Sequence, residues 1–246
     1  MDVHLFVPCY VDQVHPEVAM ATVSVLRHAG CTVHFDDRQT CCGQPMSNSG
    51  CRDDAAKLAR RHLDLFAGTT SVCPSGSCTS MVRHHFHDLG LRLDHQDEKT
   101  LENTFELAEF LVNVLGVTDL GARFPHTVAL HQSCHGLREL GLGTPSERRE
   151  PEKLSPSQAL LQKVEGLRLV IPERRDECCG FGGTFAVAEA DLSARMGQDR
   201  CDQLAAGGSE YMTGNDMSCL MHLDGIRRRR NAGPKAIHLA EILACR

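Results

Sequence analysis

The sequence has no tryptophan, only two tyrosines, and an aromatic content of 4% over 246 residues. Such a composition excludes an aromatic platform on which single-stranded nucleic acid could stack. The formal net charge of −6 leaves no broad basic surface for a polyanion. No apolar run approaches the roughly 18 residues of a membrane helix, and the N-terminus lacks the basic and apolar segments of a signal peptide. We therefore expect a cytoplasmic protein with no membrane span and no nucleic-acid partner.

Cysteine, in contrast, is abundant, with 13 residues in the chain. A secreted disulfide scaffold would be much shorter and would usually carry an even number of cysteines. In a reducing compartment this many thiols indicates metal binding or redox chemistry. Burial of cysteine as a small apolar side chain could account for several of them, but not for their spacing.

The cysteines repeat in a fixed order, Cys…Cys-Cys-Gly…Cys, which occurs once in each half of the chain. Its members are Cys9, Cys41, Cys42 and Cys78 in the first half, and Cys134, Cys178, Cys179 and Cys219 in the second. A repeated order of this kind indicates two related structural units.

Strand and helix patterns repeat along with the cysteines. We predict strands at 2–8, 31–36, 71–73, 127–131, 167–171 and 210–213, and helices at 16–29, 53–67, 81–89, 105–115, 156–165 and 189–206, with a further helix opening at the Cys219 segment. Alternating strands and helices predict parallel βαβ units, and therefore an α/β fold of two pseudo-symmetric small domains, 1–122 and 123–246. Residues 90–104 are predicted to be a polar linker and 141–157 a surface loop. The cysteines follow the strands, where open parallel sheets bind ligands.

Adjacent cysteines are poor partners for one zinc ion, because neighbouring side chains diverge and structural zinc sites use Cys-x2–4-Cys pairs. Neither half contains Cys-x2-Cys. In a multi-iron cluster, Cys41 and Cys42 could ligate different irons, and four thiolates per half match a [4Fe–4S] cluster. The glycines that follow Cys179 would let backbone N–H groups approach sulfide. The chain has no dinucleotide fingerprint and no ferredoxin-type cysteine run.

Six stretches of the chain resemble the lactate utilization protein A family. The unit that carries the repeated Cys-Cys-Gly order resembles the cysteine-rich CCG domain of the heterodisulfide reductase B subunit and of the glycolate oxidase iron–sulfur subunit. The stretches are QTCCGQP at 39–45, PSGSCTSM at 74–81, SCHGLREL at 133–140, CCGFGGTF at 178–185, DMSCLMH at 216–222 and HLAEIL at 238–243. The resemblance implies an iron–sulfur electron-transfer subunit that oxidises L-lactate to pyruvate together with two partner subunits, one of them an iron–sulfur relay protein. It also implies two iron–sulfur clusters held by the eight repeated cysteines, in a subunit that is inactive alone.

One departure from the heterodisulfide reductase pattern concerns a fifth cysteine, which there lies three residues after the position of Cys78 or Cys219. Here those positions are Met81 and His222. A thioether is a poor iron ligand, so four-cysteine clusters are the simpler interpretation, with His222 a candidate extra ligand of the second.

Two other functions are compatible with the same residues. One is a heterodisulfide or thiol–disulfide reductase that binds substrate sulfur at a cluster, and the other is a non-catalytic zinc or redox-sensing module. Near Cys134, His131 and His135 are candidate donors to cluster sulfide or ordinary strand-end histidines, and Arg138 could stabilise a reduced cluster. The cysteines outside the repeat are predicted to be packing or surface thiols: Cys31, Cys51, Cys73, Cys201 and Cys245. Cys73 is the first candidate for an exception, because it closely precedes Cys78.

Overall fold

The computed structural model describes all 246 residues, which form two four-stranded, entirely parallel sheets. The first sheet has the order β2-β1-β3-β4, and the second has the matching order β6-β5-β7-β8. The strands are β1 (Asp2–Leu5), β2 (Thr32–His34), β3 (Ser71–Cys73), β4 (Thr104–Glu106), β5 (Thr127–His131), β6 (Arg168–Val170), β7 (Tyr211–Gly214) and β8 (Lys235–Ala236). The predicted α/β fold with two pseudo-symmetric halves is confirmed.

Helices cover the sheets and connect their strands. In the first half they are α1 (Cys9–Val14), α2 (Pro16–His28), α3 (Gln44–Asn48), α4 (Arg52–Phe66), α5 (Gly76–Ser80), α6 (His95–Glu102) and α7 (Leu107–Glu109). In the second half they are α8 (Pro156–Leu161), α9 (Phe185–Ala188), α10 (Ala190–Ala205), α11 (Met217–Arg230) and α12 (Leu239–Ala244). Short π-helical segments continue α5 at Met81–His85 and α7 at Phe110–Val114, and a third follows Cys134 at His135–Glu139.

Two predictions about the middle of the chain were wrong. The polar segment 90–104 contains helix α6, which starts where the Asp94 side chain accepts hydrogen bonds from the backbone of Gln96 and Asp97. This N-terminal cap supplies partners for amide groups that the first helical turn leaves free. The predicted helix at 105–115 begins two residues later, because residues 104–106 form strand β4 beside β3.

The two halves share one hydrophobic core. Val3 of β1, Val72 of β3 and Val128 of β5 are fully buried in the same cluster. The C-terminal helix α12 packs against α2 of the first half, so the end of the chain returns to its beginning. The division between 1–122 and 123–246 stays a prediction. None of the helices combines the length and the apolar character needed to cross a bilayer.

Glu106 closes β4 and begins α7, and its side chain is only 1% exposed. Burial raises the pKa of this carboxyl from 4.5 to about 8. The folded protein therefore holds a proton that the unfolded chain releases, so the free energy of unfolding falls as the pH rises from about 4.5 through 8, by at most about 1.4 kcal/mol per pH unit. We expect Glu106→Gln to remove this component, as measured by urea unfolding of metal-free, reduced protein at pH 5 and pH 8. The exposed Glu102→Gln is the control, and equal slopes for wild type and Glu106→Gln would contradict the assignment.

Candidate functional site

The repeated cysteines lie beyond the carboxyl ends of three strands in each sheet. In the first half, Cys9 opens α1 after β1, Cys41 and Cys42 lie between β2 and α3, and Cys78 lies in α5 after β3. The second half repeats the placement beyond β5, β6 and β7. Because parallel strands end at the same edge of a sheet, residues far apart in sequence meet there.

The eight cysteines line one cavity of about 140 Å³ between the two halves, and all are free thiols. We call Cys9, Cys41, Cys42 and Cys78 the first quartet, and Cys134, Cys178, Cys179 and Cys219 the second quartet. In the first quartet the Sγ atoms of Cys9 and Cys41 are 3.7 Å apart, and those of Cys42 and Cys78 are 3.6 Å apart. The adjacent cysteines Cys41 and Cys42 thus contact different cysteines of the quartet in addition to each other.

The backbone conformation after each cysteine pair requires a glycine. Gly43 has φ 87° and Gly180 has φ 85°, in the left-handed region that glycine adopts without strain. This turn directs the Gly43 N–H to the Cys41 Sγ at 3.5 Å and the Gly180 N–H to the Cys178 Sγ at 3.3 Å. A Cβ on Gly180 would also lie 2.7 Å from the Ser193 carbonyl oxygen. The Cys-Cys-Gly motif is therefore required by the backbone as well as by the thiols.

At least one thiol of each quartet is strongly acidic in the metal-free protein. Hydrogen bonds from Cys42 and Cys9 lower the pKa of Cys41 to about 3. In the first quartet, hydrogen bonds from Cys42 and Cys73 also hold the pKa of Cys78 well below its usual range. Those from Cys134 and Cys179 lower the pKa of Cys178 to about 2. The thiolate is the form of cysteine that binds metal, so each quartet already holds at least one ligand in its reactive state.

His131 lies beside the second quartet. One of its ring nitrogens is within 4.8 Å of the Cys179 and Cys219 sulfurs, and the residue is 1% exposed. Its Nδ1 accepts a hydrogen bond of 3.0 Å from the Nε–H of Arg200. Burial and the neighbouring guanidinium lower the pKa of His131 to about 3, so the ring is neutral. The sequence singled out His131 but gave no signal for Arg200, which lies 69 positions away on α10.

The other candidates occupy less central positions. His222 does not line the cavity, and its ring lies 5.8 Å from that of Phe181. His135 does line it, with Nε2 3.2 Å from the Gln44 amide nitrogen. The Arg138 guanidinium donates hydrogen bonds to the Glu147 carboxylate and to both the carboxylate and the backbone carbonyl of Asp176. None of the five cysteines outside the repeat lines the cavity.

Asp216 joins the two halves behind the cavity. Its Oδ1 accepts hydrogen bonds from the Ser75 hydroxyl at 2.7 Å, the Ser77 N–H at 2.9 Å and the Ser77 hydroxyl at 2.7 Å. Asp216 and Ser75 each lie three residues before the last cysteine of a quartet, Cys219 and Cys78. No sequence pattern pointed to this contact, which holds the two cysteine loops together.

Asp216→Ala should destabilise the protein substantially. The carboxylate is 1% exposed, and its loss leaves buried donors of the first half without an acceptor. Each buried donor that is left without an acceptor costs about 1–3 kcal/mol. Urea unfolding of metal-free, reduced protein measures the change, with the exposed Asp37→Ala as control. A loss no larger than that of the control would show that Asp216 does not join the halves.

Comparisons with known proteins agree with the repeat. The family model for the cysteine-rich domain CCG matches residues 3–83 and 128–224. Lactate utilization protein A of Bacillus subtilis is 41% identical over 100% of both chains. Its namesake from Macrococcus caseolyticus is 40% identical over 99% of this chain and 96% of its own, and that from Exiguobacterium sp. is 40% identical over 98% and 96%.

Proposed function

This chain belongs to the lactate utilization protein A family and contains two matches to the cysteine-rich CCG domain, and on that basis we propose that it is an iron–sulfur electron-transfer subunit of a complex that oxidises L-lactate to pyruvate. The observation that carries the proposal is the convergence of two quartets of free cysteines on one cavity. We infer that the protein works in the cytoplasm.

The donor set of each quartet fits a [4Fe–4S] cluster. A cluster of this type takes four cysteine thiolates, which is the number that each quartet supplies. In the first quartet, the Cys41 Sγ lies beside that of Cys9 and the Cys42 Sγ beside that of Cys78, so each of the adjacent thiols also has a different second neighbour, as binding to separate irons requires. We therefore assign the first quartet and the second quartet as the ligands of two clusters. His222 stays a candidate extra ligand of the second.

The bound clusters would supply one-electron redox chemistry, and the chain's own residues would set the environment in which it occurs. The N–H groups of Gly43, Gly180 and Phe181 donate to cysteine sulfurs at 3.3–3.5 Å and stabilise their negative charge. Cys42 and Cys179 are 3% and 2% exposed, which keeps water from these thiolates.

The cavity is poorly suited to lactate itself. Neither lysine nor arginine lines it, so the carboxylate of lactate would find no cationic partner there. Eight thiolates would add further negative charge. We therefore assign lactate oxidation to the partner subunits and electron transfer to this chain, with one partner continuing the iron–sulfur relay.

A second candidate function follows from the same cavity. Because both quartets line one space, a sulfur substrate could reach both, as a thiol–disulfide or heterodisulfide reductase would require. Reduction of a small disulfide by the isolated, iron-loaded chain with a reduced viologen would favour this function. Absence of that reaction would favour the electron-transfer subunit.

The iron and sulfide contents of anaerobically purified protein test the proposal. We expect about eight irons and about eight sulfides per chain, broad visible absorption, and a low-temperature EPR signal after reduction. Purified protein that contains zinc and no sulfide, and that takes up no iron on reconstitution, would support the non-catalytic zinc module instead.

A further inference from the structure

Arg200 is a buried cation without a carboxylate partner. The residue is 0% exposed. Besides His131, its guanidinium donates to the backbone carbonyls of Arg174 at 2.6 Å and Arg175 at 3.3 Å, and to the Gln203 side chain at 3.0 Å. Burial of a charge is costly unless an opposite charge compensates for it.

The nearby carboxylates are already paired with other arginines. Glu177 forms an ion pair with Arg174 at 3.0 Å, and Asp176 forms one with Arg138 at 3.2 Å. Besides these paired carboxylates, the groups near Arg200 that can carry negative charge are the cysteines of the second quartet, which it approaches through His131 and which would be thiolates when they ligate a cluster. The buried charge therefore points to an anionic occupant of that quartet.

His131 connects Arg200 to the sulfurs. Because Nδ1 accepts the hydrogen bond from Arg200, the proton of the neutral ring lies on Nε2. This Nε2 is buried and has no hydrogen-bond partner. A ring nitrogen lies within 4.8 Å of the Cys179 and Cys219 sulfurs, so His131 is placed to donate to a sulfur of the occupied quartet.

The first half has an uncharged pair in the corresponding place. Phe6 lies three residues before Cys9, as His131 lies three before Cys134, and it packs edge-on against His62 of α4 at 4.7 Å. His62 is on the second helix after the first cysteine pair, as Arg200 of α10 is on the second helix after the second pair. Burial lowers the pKa of His62 to about 3, so no cation lies near the first quartet from this side.

We propose that Arg200, acting through His131, makes the second quartet the electron-accepting end of this chain. The inference rests on the proposed function, in which both quartets hold clusters. A buried positive charge stabilises whichever redox state beside it carries the greater negative charge. The first quartet would hold the cluster that gives up one electron and the second quartet the cluster that takes it up, with no bond made or broken. Arg200 and His131 are positioning residues for this transfer.

Midpoint potentials of single-cluster proteins test the inference. Cys42→Ser leaves the second quartet intact, and Cys179→Ser leaves the first, so EPR-monitored redox titrations give each potential separately. We expect the midpoint potential measured for the second quartet to be more positive than that for the first by at least about 59 mV. For a one-electron transfer this difference corresponds to a tenfold change in the exchange equilibrium. Equal potentials, or a more positive first quartet, would overturn the inference.

Substitutions at Arg200 and His131 test whether this pair causes the difference in potential. In the Cys42→Ser protein, His131→Phe with Arg200→His reproduces the pair of the first half, and we expect the potential to fall towards that of the first quartet. Arg200→Gln should lower it as well, whereas Arg200→Lys, which keeps the charge, should retain most of the difference. His62→Gln is the control in the other half and should leave the second potential unchanged. No effect of Arg200→Gln on the potential would contradict the assignment.

Iron and sulfide analysis separates this inference from the proposed function. If wild-type protein holds two clusters of equal potential, the function stands and the role of Arg200 fails. If wild-type protein takes up no iron and sulfide, the proposed function fails, and the role of Arg200 fails with it. Should Arg200→Gln not fold, the comparison of the two single-cluster proteins still decides the sign of the difference.

Discussion

Cys42→Ser is expected to lose about four of about eight irons per chain, and Cys179→Ser the same number from the other half. The Cys42 Sγ lies 3.6 Å from that of Cys78, inside the first quartet, and Cys179 is its counterpart in the second. Serine cannot replace a thiolate as a strong iron ligand, and the buried position leaves no space for a substitute. Iron and sulfide analysis of anaerobically reconstituted protein measures the loss.

Cys245→Ser is the matched control for this result. Cys245 is partly buried, lies outside the cavity, and its thiol donates to the Glu241 carbonyl oxygen at 3.3 Å. The iron content of the Cys245→Ser protein should equal that of wild type. Iron loss from Cys245→Ser equal to that from Cys42→Ser would refute the ligand assignment. Loss of all iron from Cys42→Ser would mean that the two quartets hold one shared group.

The isolated, fully iron-loaded chain is expected not to reduce a dye with L-lactate, and activity should appear only when both partner subunits are added. Lactate oxidation requires a two-electron acceptor and a base for the hydroxyl or α-proton. The cavity contains no lysine or arginine to hold the carboxylate, and the sequence has no flavin or nicotinamide fingerprint. The expected change is therefore from no detectable rate to a measurable one.

Reduction of the isolated chain by dithionite is the control, because it shows that the clusters accept electrons when a donor is present. Visible bleaching with dithionite but not with lactate is the expected pair of results. Sustained lactate-dependent dye reduction by this chain alone would place the active site here and overturn the division of labour between the subunits.

The sequence by itself determined the α/β class and the membership of both quartets. Strand β1 with Val3 and Leu5, and strand β5 with Val128 and Leu130, are short apolar runs that identify buried parallel strands. Because such strands end at one edge, the cysteines that follow them in sequence could be grouped without a structure. The repeat of the Cys-Cys-Gly order also made the pseudo-symmetry visible.

Some elements carried too little local signal. Strands β4 and β8 have three and two residues, which is too short for a hydrophobic alternation to be recognised. Helix α6 was predicted to be a linker because eight mostly polar residues form it, although the cap at Asp94 is a recognisable start signal. These errors concern the connections and edges rather than the strands that place the cysteines.

Only the tertiary structure decided how the two halves meet. The hydrogen bond from Ser75 to Asp216 spans 141 positions, and the one from Arg200 to His131 spans 69. No periodic pattern links residues at such separations. The first contact depends on how one half packs against the other, and the second depends on how α10 packs against β5 within the second half. The packing between the halves brings both quartets to one cavity, and the packing within the second half places Arg200 behind the second quartet. That asymmetry could not be read from a repeated cysteine order.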